Sequence, residues 1–335
     1  MWTIFMTISR RQFISRSIGA GLLSSLSVMG LYSCGKPNTV RIGSHPWLGF
    51  EFLHLGHRLG QLPDHIQFSE FRSASEVLTG LSKKQIDVAT LSLDEVLIAR
   101  ARGIPMTVIM VFDISAGADM LLVPDHIRHL ADIKGLRIGY EVSAHGQLIL
   151  SKLLEAANLS PGEVSAIAIP PYQQFEAWQN NQVDIVITHE PYAFQFFAEG
   201  FNAIFDSRQL PNMNYDVLAV RTDMLSQLSR SLDDLTAIHF KMVKSFQSNP
   251  SDMLYEMTNT IHNRVPIDVM KRGLRGIALP TLERNHSILS DTETLKTMVK
   301  ALMPYTELTP EQLPDDIHQL FTSDYLPKYV SNGSH

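Results

Sequence analysis

The chain has 335 residues, of which 44% are hydrophobic and 19% charged, so it has the ordinary composition of a soluble globular protein with about two domains. Beyond the N-terminus, no stretch is apolar for the roughly 18 residues that a membrane-spanning helix needs. The net charge is −6 and the chain has no basic run, which argues against nucleic acid as a partner.

The first 34 residues have the pattern of an export signal. The pair Arg10-Arg11 and Arg16 precede an uncharged run, which ends in Leu-Tyr-Ser-Cys at residues 31–34. A basic start, a short apolar core and a small residue before the cut are typical of a secretion signal rather than a spanning helix. The paired arginines resemble a twin-arginine signal, and the ending resembles a bacterial lipobox that would lipidate Cys34. An uncleaved N-terminal anchor is the alternative.

These residues predict a periplasmic protein that is anchored to the membrane only by a lipid on Cys34. The leader holds three of the 28 basic residues and no acidic one, which leaves 25 basic against 34 acidic residues, a net charge of −9. So acidic a chain argues against nucleic acid and against electrostatic membrane binding. Cys34 is the sole cysteine, so no disulfide within the chain is expected.

From residue 39 onward, short apolar β-branched runs alternate with helical patterns, which indicates an α/β fold with largely parallel sheets. In the first third, strands are predicted at 39–43, 66–71 and 86–91, with helices at 51–59, 74–83 and 92–102. In the second third, the order recurs with strands at 136–139, 164–169 and 183–188 and helices at 147–157, 172–180 and 193–199.

Two short motifs recur with the same spacing. The triplet Arg-Ile-Gly begins at Arg41 and again at Arg137, 96 residues later, while Gln-Ile-Asp-Val at 85–88 and Gln-Val-Asp-Ile at 182–185 are offset by 97. Because the motifs coincide with the same strand and helix order, the sequence predicts two similar α/β lobes. Lobe I is expected to comprise residues 37–118 and 217–335, and lobe II residues 119–216.

Further strands and helices are predicted to connect and cover the lobes. Apolar strands at 107–112, 120–123, 203–205 and 217–220 are expected to cross between the lobes, so that the chain enters the second lobe and returns. Helices at 234–247, 252–263, 267–276 and 295–303 form a C-terminal segment expected to pack on lobe I or to strap both lobes.

The junction at Val183–Tyr192 is the most informative part of the sequence. A buried strand is followed by His189, Glu190, a proline and Tyr192 where the next helix begins, and in open α/β sheets this edge binds ligands. Alternatively, Glu190 caps the helix. Lobe I contains a similar junction at Ile86–Glu95, and the two are expected to face each other across a cleft.

Together these motifs resemble the periplasmic substrate-binding proteins of ABC importers. The branch is the one grouped with nitrate, sulfonate, taurine and pyrimidine-precursor uptake, called NMT1/THI5-like or SsuA/TauA-like. The resemblance covers roughly Val40–Met224, with a weaker helical match to about Leu289. It is carried by residues 41–51, 86–95, 113–119, 132–139, 170–171, 190–192, 205–207 and 216–218.

The resemblance implies a two-lobed periplasmic-binding-protein fold of type II, in which lobes joined by two crossing strands close on a small ligand. It further implies a monomer that delivers its ligand to an ABC permease and its ATPase, without a cofactor. The chain departs from the family at His45, Leu48 and Phe50, where Asn, Pro and Tyr are common, and at His189, where Trp is common. These departures predict a changed ligand.

The candidate ligand-binding residues come from the loops at the strand ends. Trp47 and Phe50 are expected to stack on a ligand, or to anchor their loop in the core. Ser143 and nearby backbone N–H groups could hold an anion, or simply cap a helix. Glu190, Asp119 and Glu141 would supply charge. The full set is Trp47, Phe50, Ser92, Asp94, Asp113, Asp119, Glu141, Ser143, His145, His189, Glu190, Tyr192 and Asp216.

The charge of these loops predicts the class of ligand. They carry many carboxylates and no arginine, which a side-chain site for an anion would favour. An amine, a nitrogen heterocycle or a zwitterion is therefore expected. A sulfonate or nitrate bound by helix N-termini is an alternative, and so is a sensor role with a separate membrane signalling protein. Asp94 and Asp216 could also be helix caps.

Metal binding and catalysis are not expected. The histidine pairs at 54/57 and 126/129 have helical spacing, but no pattern supplies a third ligand. The chain has no Gly-x-Ser-x-Gly motif and no phosphate-binding glycine loop. The eukaryotic pyrimidine synthases that resemble this family have a cysteine-rich motif, which a chain with Cys34 alone lacks. The sequence therefore predicts a binding protein rather than an enzyme.

Overall fold

The computed structural model describes residues 38–210, 213–260 and 265–328. The export signal, the lipobox and the lipidation of Cys34 lie outside the described residues and stay predictions. In the part of the chain that is described, no helix is long and apolar enough to cross a membrane.

Lobe I is built on a mixed sheet of six strands in the order β11-β4-β10-β3-β1-β2. These strands are β1 (Val40–Ser44), β2 (Ile66–Glu70), β3 (Val88–Ser92), β4 (Met106–Ser115), β10 (Tyr215–Arg221) and β11 (Ile277–Ala278). The helices between them are α1 (Glu51–Arg58), α2 (Ala74–Ser82) and α3 (Leu93–Ala101).

Lobe II is built on a sheet of five strands in the order β7-β6-β8-β5-β9. Its strands are β5 (Met120–Pro124), β6 (Arg137–Tyr140), β7 (Ser165–Ala168), β8 (Ile185–Thr188) and β9 (Phe201–Asp206). Its helices are α4 (Ala144–Ala157), α5 (Pro171–Gln179) and α6 (Ala193–Ala198). The mixed α/β architecture with two lobes confirms the predicted fold class.

The internal repeat extends to hydrogen bonds. β1 pairs in parallel with β2 and β3, and β6 pairs in parallel with β7 and β8. In lobe I the guanidinium Nε of Arg41 donates to Asp87 at 2.7 Å, and in lobe II that of Arg137 donates to Asp184 at 3.1 Å. Each arginine thereby ties the start of a strand to the start of the neighbouring strand.

The chain crosses between the lobes in the segments that follow β4 and β9, rather than in the strands themselves. β4 and β10 pair antiparallel within the lobe I sheet, while β5 and β9 pair antiparallel within the lobe II sheet. Each of these four strands therefore belongs to one of the two sheets, where its backbone groups form hydrogen bonds with a neighbouring strand. The described parts of the connections are residues 116–119, 207–210 and 213–214.

The C-terminal segment is helical, as predicted, and packs mainly on lobe I. The helices are α7 (Leu225–Ser248), α8 (Pro250–Thr260), α9 (Ile267–Leu274), α10 (Leu282–Ser290) and α11 (Thr292–Leu302). Leu228, Leu232 and Leu235 of α7 join the same apolar core as Phe52 of α1. α7 begins nine residues before the predicted start at 234, because its apolar face already begins at Leu225. One residue of α9, Arg272, also reaches lobe II.

Candidate functional site

The two lobes enclose a small cavity at the ends of their strands. Its volume is about 30 Å³, room for about one or two water molecules. Its lining comes from both lobes and from the connection between them: His45, Trp47, Ser92, Glu95, Asp119, His145, His189 and Asp216. The lobes are therefore closed on each other in this structure, around a centre of acidic, imidazole and indole groups.

Trp47 is fixed by a carboxylate of the lobe I strand β4. Its indole Nε1 donates to Asp113 Oδ2 at 3.0 Å, and its ring meets His189 of lobe II edge-on with centroids 5.1 Å apart. Gly49 permits this arrangement, because a Cβ at that position would lie 1.6 Å from Asp113 Oδ2. The indole edge is thus held by lobe I, while the ring contacts lobe II.

The lobe I junction leaves one carboxylate without a hydrogen bond. At the start of α3, the backbone N–H of Ser92 donates to Glu95 Oε2 at 3.0 Å, so Glu95 caps the helix. Asp94 is fully buried, at 0% exposure, and neither of its carboxylate oxygens has a hydrogen-bond partner among the described residues. Of the two adjacent acids, Glu95 is structural, and Asp94 has an unsatisfied carboxylate.

His145 of lobe II lies between two carboxylates. Its Nδ1 is 3.6 Å from Asp94 Oδ1, and its Nε2 is 3.2 Å from Asp119 Oδ1. Asp119 also accepts a hydrogen bond from the Ser115 hydroxyl at 2.7 Å. Burial alone would lower the pKa of His145, but the two carboxylates raise it well above its ordinary value. The same imidazole lowers the pKa of Asp119 despite that residue's burial.

Four other carboxyl groups around the cavity have raised pKa values. Burial raises the pKa of Glu95 to about 8 and that of Asp113 to about 7. Burial and the neighbouring Asp113 raise the pKa of Asp216 well above its ordinary range. Burial also raises the pKa of Glu141 to about 7. Burial disfavours the charged form of each of these carboxyl groups, which is why their pKa values rise.

Glu190 of the lobe II junction has both carboxylate oxygens engaged. Its Oε2 accepts the backbone N–H of Phe194 at 3.0 Å and so caps α6, and its Oε1 accepts Nε of Arg272 at 2.8 Å. Arg272 comes from α9, and its guanidinium also lies 4.6 Å from the centroid of the Phe197 ring. Glu190 is 1% exposed in its side chain. This ion pair joins the C-terminal helical segment to lobe II.

The approach of α9 to lobe II depends on a glycine. A Cβ at Gly273 would lie 2.0 Å from Leu48 Cδ1 and 3.1 Å from Glu190 Cβ. Ser75 adds a polar contact between the lobes elsewhere, since its hydroxyl donates to the backbone oxygen of Val142 at 2.9 Å. The closed arrangement is thus stabilised at the cavity and at its rim.

The structure brings six of the predicted residues to the cavity wall: Trp47, Ser92, Asp119, His145, His189 and Asp216. Asp94 and Asp113 lie directly behind it, in contact with His145 and Trp47.

The other predicted residues do not line the cavity. Phe50 is fully buried and packs edge-on against Phe112. Ser143 accepts the backbone N–H of Gly146 at 3.0 Å and caps α4. Burial raises the pKa of Tyr192 to about 12, and its ring packs against His189. The ligand roles predicted for Phe50, Glu141, Ser143, Glu190 and Tyr192 stay predictions.

Sequence reasoning omitted three residues from the site. His45 lines the cavity, and burial lowers its pKa to about 3. Its departure from the family pattern was a usable signal. Glu95 was visible as the third residue of a capping box. Arg272 gave no signal, because it is 82 residues from Glu190 along the chain.

The histidines do not form a metal site in the part of the chain that is described, where no group of three or more His, Cys, Asp or Glu residues is arranged to hold a metal ion. The predicted helical pair has packing roles instead. His54 Nε2 lies 2.7 Å from the Ser44 hydroxyl, and the His57 ring stacks on Phe68 with centroids 4.8 Å apart.

Comparison with solved structures shows the same fold in binding proteins. The alkanesulfonate-binding protein SsuA of Xanthomonas axonopodis pv. citri, bound to MOPS, superposes with a TM-score of 0.67 at 18% identity, over 83% of this chain and 96% of that one. The periplasmic nitrate-binding protein NrtA of Synechocystis superposes with a TM-score of 0.59 at 13% identity, over 84% and 92%. These similarities establish a type II periplasmic-binding-protein fold.

Sequence comparison adds a relative and a family. A protein of Escherichia coli named as an aliphatic sulfonates-binding protein is 25% identical over 186 residues, which are 54% of this chain. The match spans 58% of the length of that curated relative. The sequence model of the NMT1-like family matches residues 35–254, well over half of the chain. The chain therefore belongs to the NMT1-like family.

Proposed function

We propose that this protein is the solute-binding component of an ABC import system. It captures a small organic ligand between its lobes and delivers it to the permease and its ATPase. The family, the two-lobed fold and the cavity at the facing strand ends support this role. The relatives with the same fold carry the names of sulfonate-binding and nitrate-binding proteins, not of enzymes.

Closure of the lobes is the proposed mechanism. The connections after β4 and β9 serve as hinges, and opening separates Asp94 and Trp47 from His145 and His189. A cavity of about 30 Å³ is too small for an organic molecule, so a ligand must enter the open form. Its contacts with both lobes would then set the closed form that the permease recognises. Export, periplasmic location and lipid anchoring through Cys34 complete this proposal.

The ligand is proposed to carry an amine, an amidine or a nitrogen heterocycle. The single observation that carries this assignment is Asp94, whose buried carboxylate has no hydrogen bond among the described residues. Buried carboxylates require donors or cations. Neither lysine nor arginine is among the described residues of the cavity wall, and the guanidinium of Arg272, which reaches lobe II, is already paired with Glu190.

A sulfonate or nitrate is the second candidate, because the named relatives bind such anions. An anion would have to be held by His145 and by the N-terminus of α4. Here Ser143 caps that terminus, and Asp94 and Asp119 flank the imidazole. The surroundings of His145 therefore favour a positive ligand. A sensor that reports to a separate membrane protein would use the same cleft and differ only in its partner.

A screen by thermal shift, followed by calorimetry, tests the ligand class. The probes are matched pairs of similar shape and opposite charge, acetamidine with methanesulfonate and benzamidine with benzenesulfonate, together with nitrate, aminopyrimidines and amino acids. A ligand at 100 times its Kd stabilises the folded state by about 2.7 kcal/mol. Stabilisation by the amidines alone supports the proposal. Stabilisation by the sulfonates or nitrate alone makes the protein an anion binder.

A further inference from the structure

Asp94 faces a histidine from the opposite lobe. It lies in α3 of lobe I with a fully buried side chain, and Nδ1 of His145 in lobe II is 3.6 Å away. That separation is an ion pair but too long for a hydrogen bond. An unpaired charge in such a place is strongly destabilising. The imidazole of His145 is the positive group that compensates the carboxylate in the closed form.

Apart from the two carboxylates, the surroundings of His145 disfavour a positive charge on its ring. The residue is the second residue of α4, after the N-cap Ser143, and the positive end of the helix dipole repels a cation there. Nε2 is 3.2 Å from Asp119, on the far side of the ring from Asp94. The imidazolium therefore owes its stability to two carboxylates, of which Asp94 is supplied only when the lobes are closed.

We propose that His145 is the specificity-determining residue of the cleft: its imidazolium holds the position between Asp94 and Asp119 that a cationic ligand takes over on binding. This inference rests on the proposed solute-binding function. The incoming cation replaces the imidazolium, and the imidazole releases its proton to solvent, so the charge of the site is unchanged. The His145 side chain is 21% exposed, so part of it already contacts solvent. Its departure also enlarges a cavity that it lines.

Other titratable groups surround His145, and burial shifts their pKa values. Burial raises the pKa values of Glu95 and Asp216 on the lobe I side and of Glu141 before α4. Burial lowers the pKa values of His45 and His189. Asp113 lies behind Trp47, with its pKa also raised by burial. Because the neighbouring histidines favour the neutral form, the exchange of a proton for a cation is assigned to His145.

The first test needs no ligand. The ring Cε1–H signal of His145 is followed by NMR against pH in the full chain and is assigned by its loss in His145→Gln. We expect a midpoint above the ordinary value of about 6.5, which Asp94→Asn and Asp119→Asn each lower by about one pH unit or more. Asp234→Asn is the matched control, because its carboxylate is also 3.6 Å from a histidine, the Nε2 of His65. That control should leave the His145 midpoint unchanged.

A midpoint at or below the ordinary value, or one that neither Asp94→Asn nor Asp119→Asn lowers, overturns the inference. Using both aspartates protects the test against the failure of one variant to fold. The signals of the remaining histidines report directly whether each variant is folded.

The second test uses acetamidine as the probe in calorimetry from pH 5.5 to 8.5. Because acetamidine must displace one proton, its affinity should increase by up to about tenfold for each unit that the pH rises in the range below the His145 midpoint. The carboxyl groups titrate in both the wild type and His145→Gln, so only the steeper slope of the wild type counts. Equal slopes would keep the proposed function and overturn this inference. If the protein binds none of the probes but the His145 midpoint still depends on Asp94, the imidazolium between Asp94 and Asp119 is supported, whereas the proposed ligand class is wrong.

Discussion

In lobe I the strand–helix junction after β3 presents two acids, and in lobe II the junction after β8 presents one. Both junctions contribute to the same cavity. Glu95 and Glu190 have equivalent roles, since each accepts a backbone N–H at the start of its helix. Asp94 has no such partner and meets His145 instead. A carboxylate at a sheet edge is therefore a candidate ligand group only after helix capping has been accounted for.

The two junctions also differ in whether a cation from the C-terminal segment reaches their carboxylates. In lobe II, Arg272 from α9 donates to the second carboxylate oxygen of Glu190 and ties the C-terminal segment to this junction. In lobe I no cation from the tail reaches Asp94 among the described contacts, and the nearest positive group is His145 of the other lobe. One junction thus holds the closed form together with a permanent ion pair. The other holds it with a group that can lose its charge.

The largest expected effect is a difference in ligand affinity between variants of the two junctions. Asp94→Asn removes the charge that faces the cleft, and we expect acetamidine binding to weaken by about tenfold to a hundredfold, since a hydrogen bond to a charged group contributes about 1.5–3 kcal/mol. Glu190→Gln should change affinity little, because both oxygens of Glu190 are engaged within the protein. Calorimetry at one pH measures both. Equal losses in the two variants would place Glu190 in the ligand site, as the sequence alone predicts.

The second effect concerns the stability that the lobe II junction supplies. Arg272→Ala leaves the buried Glu190 without its cation, and we expect the free energy of unfolding to fall by about 2 kcal/mol. The value lies below that for a fully buried pair because the Arg272 side chain is 40% exposed. Urea unfolding measures it, with the exposed neighbour Lys271→Ala as the control. Adding Glu190→Gln to Arg272→Ala should recover part of the loss, as a double-mutant cycle reports. A loss no greater than that of the control would refute the ion pair as a stabilising contact.

The repeat and the two sheets were predictable because their signals are local. Buried strands are short, apolar and β-branched, and Arg41 and Arg137 recur with their aspartates at nearly constant spacing. The same local pattern predicted the edge at which Ser92 and His189 meet the cavity. The resemblance to a two-lobed binding fold is therefore confirmed, while the predicted boundaries of the lobes stay a prediction.

The unpredicted part of the site depends on contacts between distant segments. The partnership of Glu190 with Arg272 joins residues 82 apart, and nothing near Arg272 in sequence identifies it. Phe50 follows Trp47 in the same loop, yet Phe50 packs inward against Phe112. The direction of a side chain in an irregular loop is set by tertiary packing, which periodicity does not report.

The third effect is a loss of stability as the pH rises above neutrality, which the buried carboxyl groups around the cavity are expected to cause. The folded-state pKa of Glu95 is about 8 and that of Glu141 about 7, both above the unfolded value, so the folded state binds more protons between about pH 4 and those values. Between pH 5 and 6.5 the unfolded state also binds protons at histidines such as His45, whose folded-state pKa burial lowers to about 3, and this opposes the effect of the carboxyl groups. Stability should therefore fall as the pH rises from about 6.5 to 8, by about 1.4 kcal/mol per pH unit for each net proton. The raised pKa of His145 adds to this fall, since the stabilising charge of the imidazolium is also lost as the pH rises through its folded-state pKa.

Urea unfolding at pH 6.5, 7, 7.5 and 8 measures this slope. Glu141→Gln should flatten it near pH 7, and Glu95→Gln between pH 7 and 8. Glu163→Gln serves as the control, because Lys134 and a helix-capping contact lower the Glu163 pKa to about 2, so its contribution is already complete at pH 5. A stability that rises with pH over this range would show that the cluster is ionised and solvated instead.

The smallest effect compares the two copies of the arginine–aspartate contact. The Arg41 and Arg137 side chains are almost equally exposed, at 40% and 39%, whereas Asp87 is 4% exposed and Asp184 is 34% exposed. Because the same ion pair is worth less where water screens it, Asp87→Asn should lower the free energy of unfolding by roughly 1 kcal/mol more than Asp184→Asn. Urea unfolding of the two variants at pH 6 measures the difference. If Asp184→Asn costs as much, burial is not what distinguishes the copies, and the backbone N–H of Arg137, which donates to Asp184 at 2.8 Å, carries the contact in lobe II.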